Sequence, residues 1–473
     1  MLVLFGFVPE IMNEESEADI QRVSELLDVS VDSINKALNA KWVKKDSFVP
    51  IKKISRSNEE LKNQLLEIKG VKISKAEERV YPLAEAASHL IGYIQNVTAE
   101  DIEKNLDKGY TTTSVIGKAG LEKQFEDRLK GKDGKEIYIE TENETRKELL
   151  AKEEVQNGET IQLTIDANLQ VNLYNELKDN KGLFVVMHPK TGELLALVST
   201  PSYDNNQFIY GMSTEKWKEL SENENTPMVA RYTKSYSPGS TFKPITAAIG
   251  LSSGKLSKED TFDYEGLSWQ KNSSWGDYFI TTLTAYNSPK NIRNAIIHSD
   301  NIFFAQAALK IGAETFTKEL QKMGFGENLN LNLGLSKSQI SNNGELKKEV
   351  ALADSGYGQG QILVNPVHMA SIYSAFVNNG NMIKPYLEYK ENKNPEYLRE
   401  EVFIPEVANI VKENLIQVIE NPEGTATDMK INGITLAGKT GTAELKVSKE
   451  EETNTLGWFN LITIDENTDK QYI

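Results

Sequence analysis

Ser240 and Lys243 are the residues in this chain best placed to do chemistry. They lie in the stretch Ser237-Pro238-Gly239-Ser240-Thr241-Phe242-Lys243-Pro244-Ile245. Pro-Gly makes a tight turn, and an apolar run follows, so the stretch predicts a turn feeding a helix. Ser240 then falls in the first helical turn, among unpaired N–H groups and a partial positive charge. Lys243 is three residues on and shares its face. Pro244 comes early enough that its missing N–H costs little. A serine hydroxyl becomes a nucleophile when a base takes its proton. A lysine is that base only if burial or a neighbouring cation lowers its pKa from about 10.4.

One Ser-x-x-Lys does not make a site. The pattern recurs at Ser213, Ser252 and Ser268, where ordinary helix or loop serines are expected. Ser-x-Asn appears at Ser221, Ser299 and Ser341, and Lys-Thr-Gly at Lys190 and Lys439. Only Ser240, Ser299 and Lys439 have the right order on suitable elements: two apolar helical stretches, then a strand. Lys190 precedes the nucleophile and falls in a hairpin turn, so it reads as structural. Three weak motifs in one order are far more specific than any one of them.

Bulk properties exclude several classes. The 473 residues carry a net charge of −16 with no basic block, which disfavours nucleic acid as a partner. An anionic substrate would need cations gathered locally. No cysteine is present, so disulfides, thiol catalysis and zinc–thiolate sites are excluded. The histidines at 89, 188, 298 and 368 lack metal-ligand spacing, and no metal or cofactor is expected. No apolar run is long enough to span a membrane.

The elements that must position these residues read as follows. Met1–Val8 predicts a strand. Ile20, Val23, Leu26 and Leu27 make one helical stripe, and Ile34, Ala37 and Leu38 another, with Ser30 as N-cap. Helices are expected over Leu83–Ile91 and from Gly117 to near Gly131, and extended strands over Lys135–Leu163. Leu163–Asp166 ends a strand and opens a helix toward Leu177. Gly182–His188 and Leu194–Ser199 predict a hairpin. Helices are then expected over Ser240–Leu251, Asn291–Leu309, Val364–Val377 and Val407–Ile419, a charged loop over 386–401, and strands over Ile434–Leu445 and Leu456–Ile464 around a charged tip, Lys446–Thr455.

Two further motifs compete. Gly433-Ile-Thr-Leu-Ala-Gly438-Lys439-Thr440 fits a phosphate-binding loop, but such a loop must open a helix, and strand is expected on both sides. Gly250-Leu-Ser252-Ser-Gly254 fits a hydrolase nucleophile elbow, but it follows a helix, and Gly254 reads better as a helix C-cap.

On these residues the chain resembles the class B penicillin-binding proteins, and within them the low-affinity, methicillin-resistance-type branch. The likeness also covers Gly117–Phe125, Leu163–Asp166, Gly192–Asp204, Asp354-Ser-Gly-Tyr-Gly-Gln-Gly360, Lys439–Glu444 and Gly457-Trp-Phe459. It implies an α/β (α+β) fold. Residues 1–157 would be an elongated pedestal, or dimerisation-type, domain. Residues 158–473 would be a transpeptidase domain of the penicillin-binding and serine β-lactamase kind, an antiparallel sheet flanked by helices.

The resemblance implies a serine DD-transpeptidase at the extracytoplasmic face of the bacterial plasma membrane. Its partners would be donor and acceptor peptidoglycan stem peptides, β-lactams, and a glycosyltransferase or other cell-wall synthesis proteins. Ser240 would attack the penultimate D-Ala carbonyl, with Lys243 as base and Ser299 passing a proton to the leaving amine. Asn301 would bind the substrate amide and hold Lys243. Lys439, Thr440, Gly441 and Thr442 would receive the terminal carboxylate. Backbone N–H groups of Ser240 and Thr442 would form the oxyanion hole. Asp300 is either a substrate-side residue or a structural hydrogen-bonder. A class A-like β-lactamase would need a Glu-x-x-Leu-Asn motif, and Glu327-Asn-Leu-Asn330 is one residue short. A β-lactam sensor would not carry so large an N-terminal region.

Relative to this family, the membrane anchor, the small extra domain and an Arg-Gly-x-Ile-x-Asp-Arg-x-Gly segment are missing before Met1. A fifth strand and closing helix are missing after Ile473. The chain is therefore expected to be a fragment whose sheet has unpaired central edges.

Overall fold

Apolar residues at the N-terminus form strand β1 (Leu2–Phe7), the centre of an antiparallel sheet ordered β2-β1-β3, with β2 at Val49–Ser55 and β3 at Val71–Ala76. This computed structural model describes residues 2–12, 16–55, 58–76, 78–111, 114–139, 148–391, 394–445, 454–464 and 471–473. Helices α1 (Ser16–Leu27), α2 (Val31–Leu38) and α3 (Glu59–Leu66) pack on the sheet. Ile20, Val23, Leu27 and Ile34 of the two expected stripes are buried against Phe5, Phe7 and Leu65. Ser30 caps α2, accepting the Ser33 N–H at 3.3 Å. A capping hydroxyl satisfies one of the orphan donors of the first turn.

The chain divides into two compact units. One contains residues 1–160, 174–182 and 199–229; the other contains 161–173, 183–198 and 230–473. In the first unit a smaller aromatic core gathers Tyr81, Tyr93, Tyr203 and Phe208, with Tyr93 stacked on Phe208 at 3.6 Å. The helix expected over Leu83–Ile91 is broken into a 3-10 turn, Ala84–Ala86, and a single α turn, Ser88–Ile91. Strands Lys135–Ile139 and Glu148–Glu153 pair as an exposed hairpin. The charged tip at 446–453 lies outside the described residues.

The second unit is built on strands flanked by helices, the class expected. Gly182–Met187 pairs with Leu194–Thr200, and Lys190 in their turn donates to Val377 O, a structural role. Thr435–Leu445 pairs antiparallel with Asn454–Ile464 without a break in register. Tyr472 and Ile473 lie between these two pairs: Ile473 exchanges hydrogen bonds of 2.8 and 2.9 Å with Met187, and Tyr472 O accepts from Thr463 N at 3.0 Å. The two strand pairs are otherwise separate two-stranded sheets among the described residues, so the expected unpaired edges are met there only at Tyr472 and Ile473. Beneath the sheet, Val411, Leu415, Val418 and Ile419 of the helix Pro405–Glu420 share one core with Leu436, Ala437, Phe303 and Phe242.

The structure disposes of both rival motifs. Strand runs unbroken from Thr435 through Lys439 and Thr440 to Leu445, so no helix opens where a phosphate loop needs one. Ser252 ends the helix Lys243–Ser252, and Gly254, at φ +69°, follows its C-cap. The stretch Asn291–Leu309 is not one helix. It splits into Ile292–Ile297 and Asn301–Ile311, because Asp300 caps the second.

Two glycines let the nucleophile turn close. Gly239 has φ +52° and Gly358 φ +78°, and a Cβ on Gly358 would lie 2.0 Å from Gly239 O. Gly358→Ala is therefore expected to destabilise the protein by about 1–3 kcal/mol. Thermal denaturation should show a fall in Tm of several degrees, and an unchanged Tm would contradict the close approach.

Candidate active site

The turn carrying Ser240 is tied down by four hydrogen bonds to three residues. Gly239 N–H donates to Gly358 O at 2.9 Å, and Ser237 Oγ to the same carbonyl at 3.0 Å. Trp458 Nε1 donates to Ser237 O at 2.9 Å, and the Tyr373 hydroxyl to Thr241 O at 2.6 Å. Residues Gly239–Phe242 form a 3-10 turn that passes into the helix at Lys243, with Pro244 in its first turn. Lys243 points into the protein and is fully buried.

Its amine makes three contacts. Nζ lies 2.8 Å from Ser240 Oγ, 2.5 Å from Ser299 O and 3.1 Å from Ser299 Oγ. Lys439, also fully buried, reaches Ser299 Oγ at 2.9 Å and Thr440 O at 3.0 Å. Ser299 is thus shared by two lysines, and the three expected motifs converge on its hydroxyl. Burial is the main force holding Lys243 well below the ordinary lysine range. The Lys439 charge pushes it the same way, and Asp300 opposes both. Burial brings Lys439 down to about 7. A neutral amine has two N–H donors and one lone pair. At Lys243 the two donors match the carbonyl and hydroxyl of Ser299, and the lone pair then faces the Ser240 O–H.

Ser299 sits in the break between the two helices at φ +56°. The sequence suggested a continuous helix here. The left-handed residue instead turns its carbonyl onto Lys243. Asp300 is fully buried, and its contacts are those of a structural hydrogen-bonder, one of the two roles open to it from the sequence. Its Oδ1 accepts the Ile302 and Phe303 N–H groups at 2.9 and 3.2 Å. Its Oδ2 accepts the hydroxyls of Tyr286, at 2.7 Å, and Tyr264. Burial pushes its pKa up to about 6, against the pull of the capping N–H groups and of Lys243.

Asn301 does not hold Lys243, as had been expected. Its Nδ2 donates to Thr281 O at 2.8 Å. His298, the neighbour of Ser299, stacks on Tyr286 at 4.1 Å and is lowered from its usual pKa chiefly by burial. Thr440 bonds Thr425 at 3.1 Å, and Thr442 is exposed. A Cβ on Gly239 would lie 2.6 Å from Thr442 O, so that carbonyl faces the nucleophile turn. In an extended strand a residue's N–H leaves on the same side as its C=O. The N–H of Thr442 therefore faces the turn as well. The backbone of Ser240 is in the first turn of a helix, where N–H groups lack intrahelical partners.

Sequence reading missed Tyr264, Tyr286, Tyr373 and Thr425. Their hydroxyls act across 14 to 132 residues of chain, and no local spacing marks them.

One serine hydroxyl is thus shared by two buried lysines, one of which also meets a serine at a helix start. The family description "penicillin binding protein transpeptidase domain" matches residues 182–473, and "penicillin-binding protein dimerisation domain" matches 6–163. This chain belongs to the penicillin-binding protein family. It is 43% identical to penicillin-binding protein 3 of Bacillus subtilis, over 96% of this chain and 67% of the relative. It is 31% identical to the peptidoglycan D,D-transpeptidase MrdA of Escherichia coli K12, over 81% of this chain and 64% of that protein. The chain thus spans about two thirds of the length of these relatives. Its fold matches a solved complex between penicillin-binding protein PBP2 and MreC from Helicobacter pylori, with a TM-score of 0.76 at 22% identity, covering 100% of this chain and 89% of that one. As a penicillin-binding protein with a transpeptidase domain, it is of the enzyme class that the sequence implied. Among the described residues no helix is long and apolar enough to cross a membrane.

Asp300→Ala would remove a helix cap and leave two tyrosine hydroxyls without their acceptor. A loss of about 2–4 kcal/mol is expected. Thermal and denaturant unfolding should both report it, and a change within 0.5 °C would mean that the carboxylate carries no structural load.

Proposed function

We propose that this protein is a serine DD-transpeptidase that cross-links peptidoglycan stem peptides through an acyl-enzyme on Ser240. The carrying observation is the 2.8 Å contact between Ser240 Oγ and the buried amine of Lys243. Neutral Lys243 takes the Ser240 proton as Oγ attacks the penultimate D-Ala carbonyl. The developing oxyanion is received by the N–H groups of Ser240 and Thr442. Lys243 then returns its proton through Ser299 Oγ, whose own proton goes to the leaving D-Ala amine as the C–N bond breaks. An amine from a second stem peptide takes the acyl group and restores Ser240. Lys439, Thr440, Gly441 and Thr442 receive the terminal carboxylate, and Asn301 the peptide amide. Residues 1–157 serve as the pedestal domain of this reading, and 158–473 as the transpeptidase domain.

β-Lactams acylate the same serine. Slow acylation, as in the low-affinity branch, is the finer expectation, and it rests on the resemblance in sequence. The named relatives further support a place at the extracytoplasmic face of the membrane, with an accessory cell-wall protein as partner, as PBP2 has in its complex with MreC. A β-lactamase reading is disfavoured because Glu327, the nearest match to a deacylating glutamate, is paired with Arg399.

Labelled penicillin should modify the protein, and Ser240→Ala should abolish labelling in intact mass. Absence of labelling at high drug and long times, with no turnover of a D-Ala-D-Ala thioester, would reject the reading. Rapid hydrolysis of the drug would favour a β-lactamase instead. The pH dependence has a definite sign. Acylation requires neutral Lys243, so the rate rises with pH through its lowered pKa. Carboxylate binding requires cationic Lys439, so the rate falls again above about 7. A second-order acylation rate still climbing at pH 9 would contradict this pairing.

A further inference from the structure

We propose that Tyr264 and Tyr286 are positioning residues for the acylation step, holding the Asp300 carboxylate so that it fixes Ser299 in place and acts on the charge of Lys243. The proposal rests on the transpeptidase reading above and concerns residues outside its motifs. Both tyrosines lie in irregular chain between the nucleophile helix and the helix Ile292–Ile297, yet both hydroxyls meet on one buried oxygen, Asp300 Oδ2. The other oxygen is used by two backbone N–H groups of the next helix. Four donors on one carboxylate leave it no freedom to rotate.

That rigidity has a purpose one residue away. Ser299 holds a left-handed backbone, which a non-glycine residue adopts only under strain. Its carbonyl and hydroxyl both contact the Lys243 amine, so any relaxation at Ser299 would move the groups that orient the base. Asp300 is the hinge on the other side of that residue, with its N–H on Ala295 O at 2.9 Å. Releasing its side chain would free the strained link.

The tyrosines are themselves set by charge. Lys290 Nζ lies 3.3 Å from the Tyr286 ring centroid and 5.6 Å from that of Tyr264, and it donates to Tyr286 O. A cation over a phenol ring draws electron density from it and strengthens its O–H as a donor. His298 stacks on the other partner, Tyr286, and lies 3.6 Å from Glu423. The charged and titratable groups around Asp300 are therefore Lys243, the two tyrosines, Lys290, His298 with Glu423 and, through Ser299, Lys439. Burial favours the neutral acid at Asp300, and the hydroxyl donors work against it. Ionised Asp300 in turn favours the cationic form of Lys243.

The test uses Tyr264→Phe, Tyr286→Phe and the double variant, which keep the rings and their packing. Second-order acylation by a fluorescent penicillin is measured from pH 4.5 to 9, with thermal denaturation alongside. Losing donors keeps Asp300 protonated to higher pH. Its support for the Lys243 cation is then withdrawn, and Lys243 loses its proton at lower pH. The acid limb should move to lower pH by about half a unit or more, and the maximal rate should fall about tenfold in the double variant. An unmoved limb and a maximal rate within about twofold of the parent would overturn the proposal. So would a lowered Tm with a rate loss that only tracks the folded fraction. A parent protein that never labels would overturn the transpeptidase reading itself, a result distinguishable from both.

Discussion

Two lysine amines buried against one serine hydroxyl are the constraint on which the rest of this structure depends. Moving an ammonium out of water costs several kcal/mol even after relaxation, and a second nearby charge adds repulsion. Neither Lys243 nor Lys439 has a carboxylate within ion-pairing distance among the described residues. Their partners are hydroxyl and carbonyl oxygens. Such a site is tolerable because the amines can shed protons, and an amine without its proton can accept one as a base. Burial and reactivity thus have one physical origin here.

The surrounding architecture keeps that arrangement from relaxing. The strand Thr435–Leu445 brings in Lys439, and its long antiparallel register with Asn454–Ile464 leaves the lysine no slack along the chain. The nucleophile turn is pinned by Gly358, Trp458 and Tyr373 from separate elements. The helix break at Ser299 and its cap at Asp300 bring the third element in. Each of these contacts is individually worth about 1 kcal/mol. Together they hold three side chains from distant parts of the sequence within hydrogen-bonding distance, as pre-organised catalysis requires.

The division between what was legible and what was not follows range. The stripes of the first two helices, the cap at Ser30, the hairpin around Lys190 and the strand through Lys439 were legible, because periodicity and turn chemistry act over a few residues. The split at 297–301 was hidden, because a strongly apolar run conceals a cap that works through one buried aspartate. The partners of Asp300 and Asn301 were likewise invisible, being tyrosines and a backbone carbonyl placed there only by folding.

Residue types and their order are written in the chain alone: a serine and lysine one turn apart, a second serine, and a lysine on a strand. The same chain lacks the cysteine that metal–thiolate chemistry needs, and its acidic balance disfavours nucleic acid. That both lysines are stripped of water and meet on the same hydroxyl comes from folding. Local spacing fixes which face a side chain occupies. Desolvation and charge repulsion depend on what the distant chain packs around it, and those two effects take Lys243 out of the ordinary lysine range.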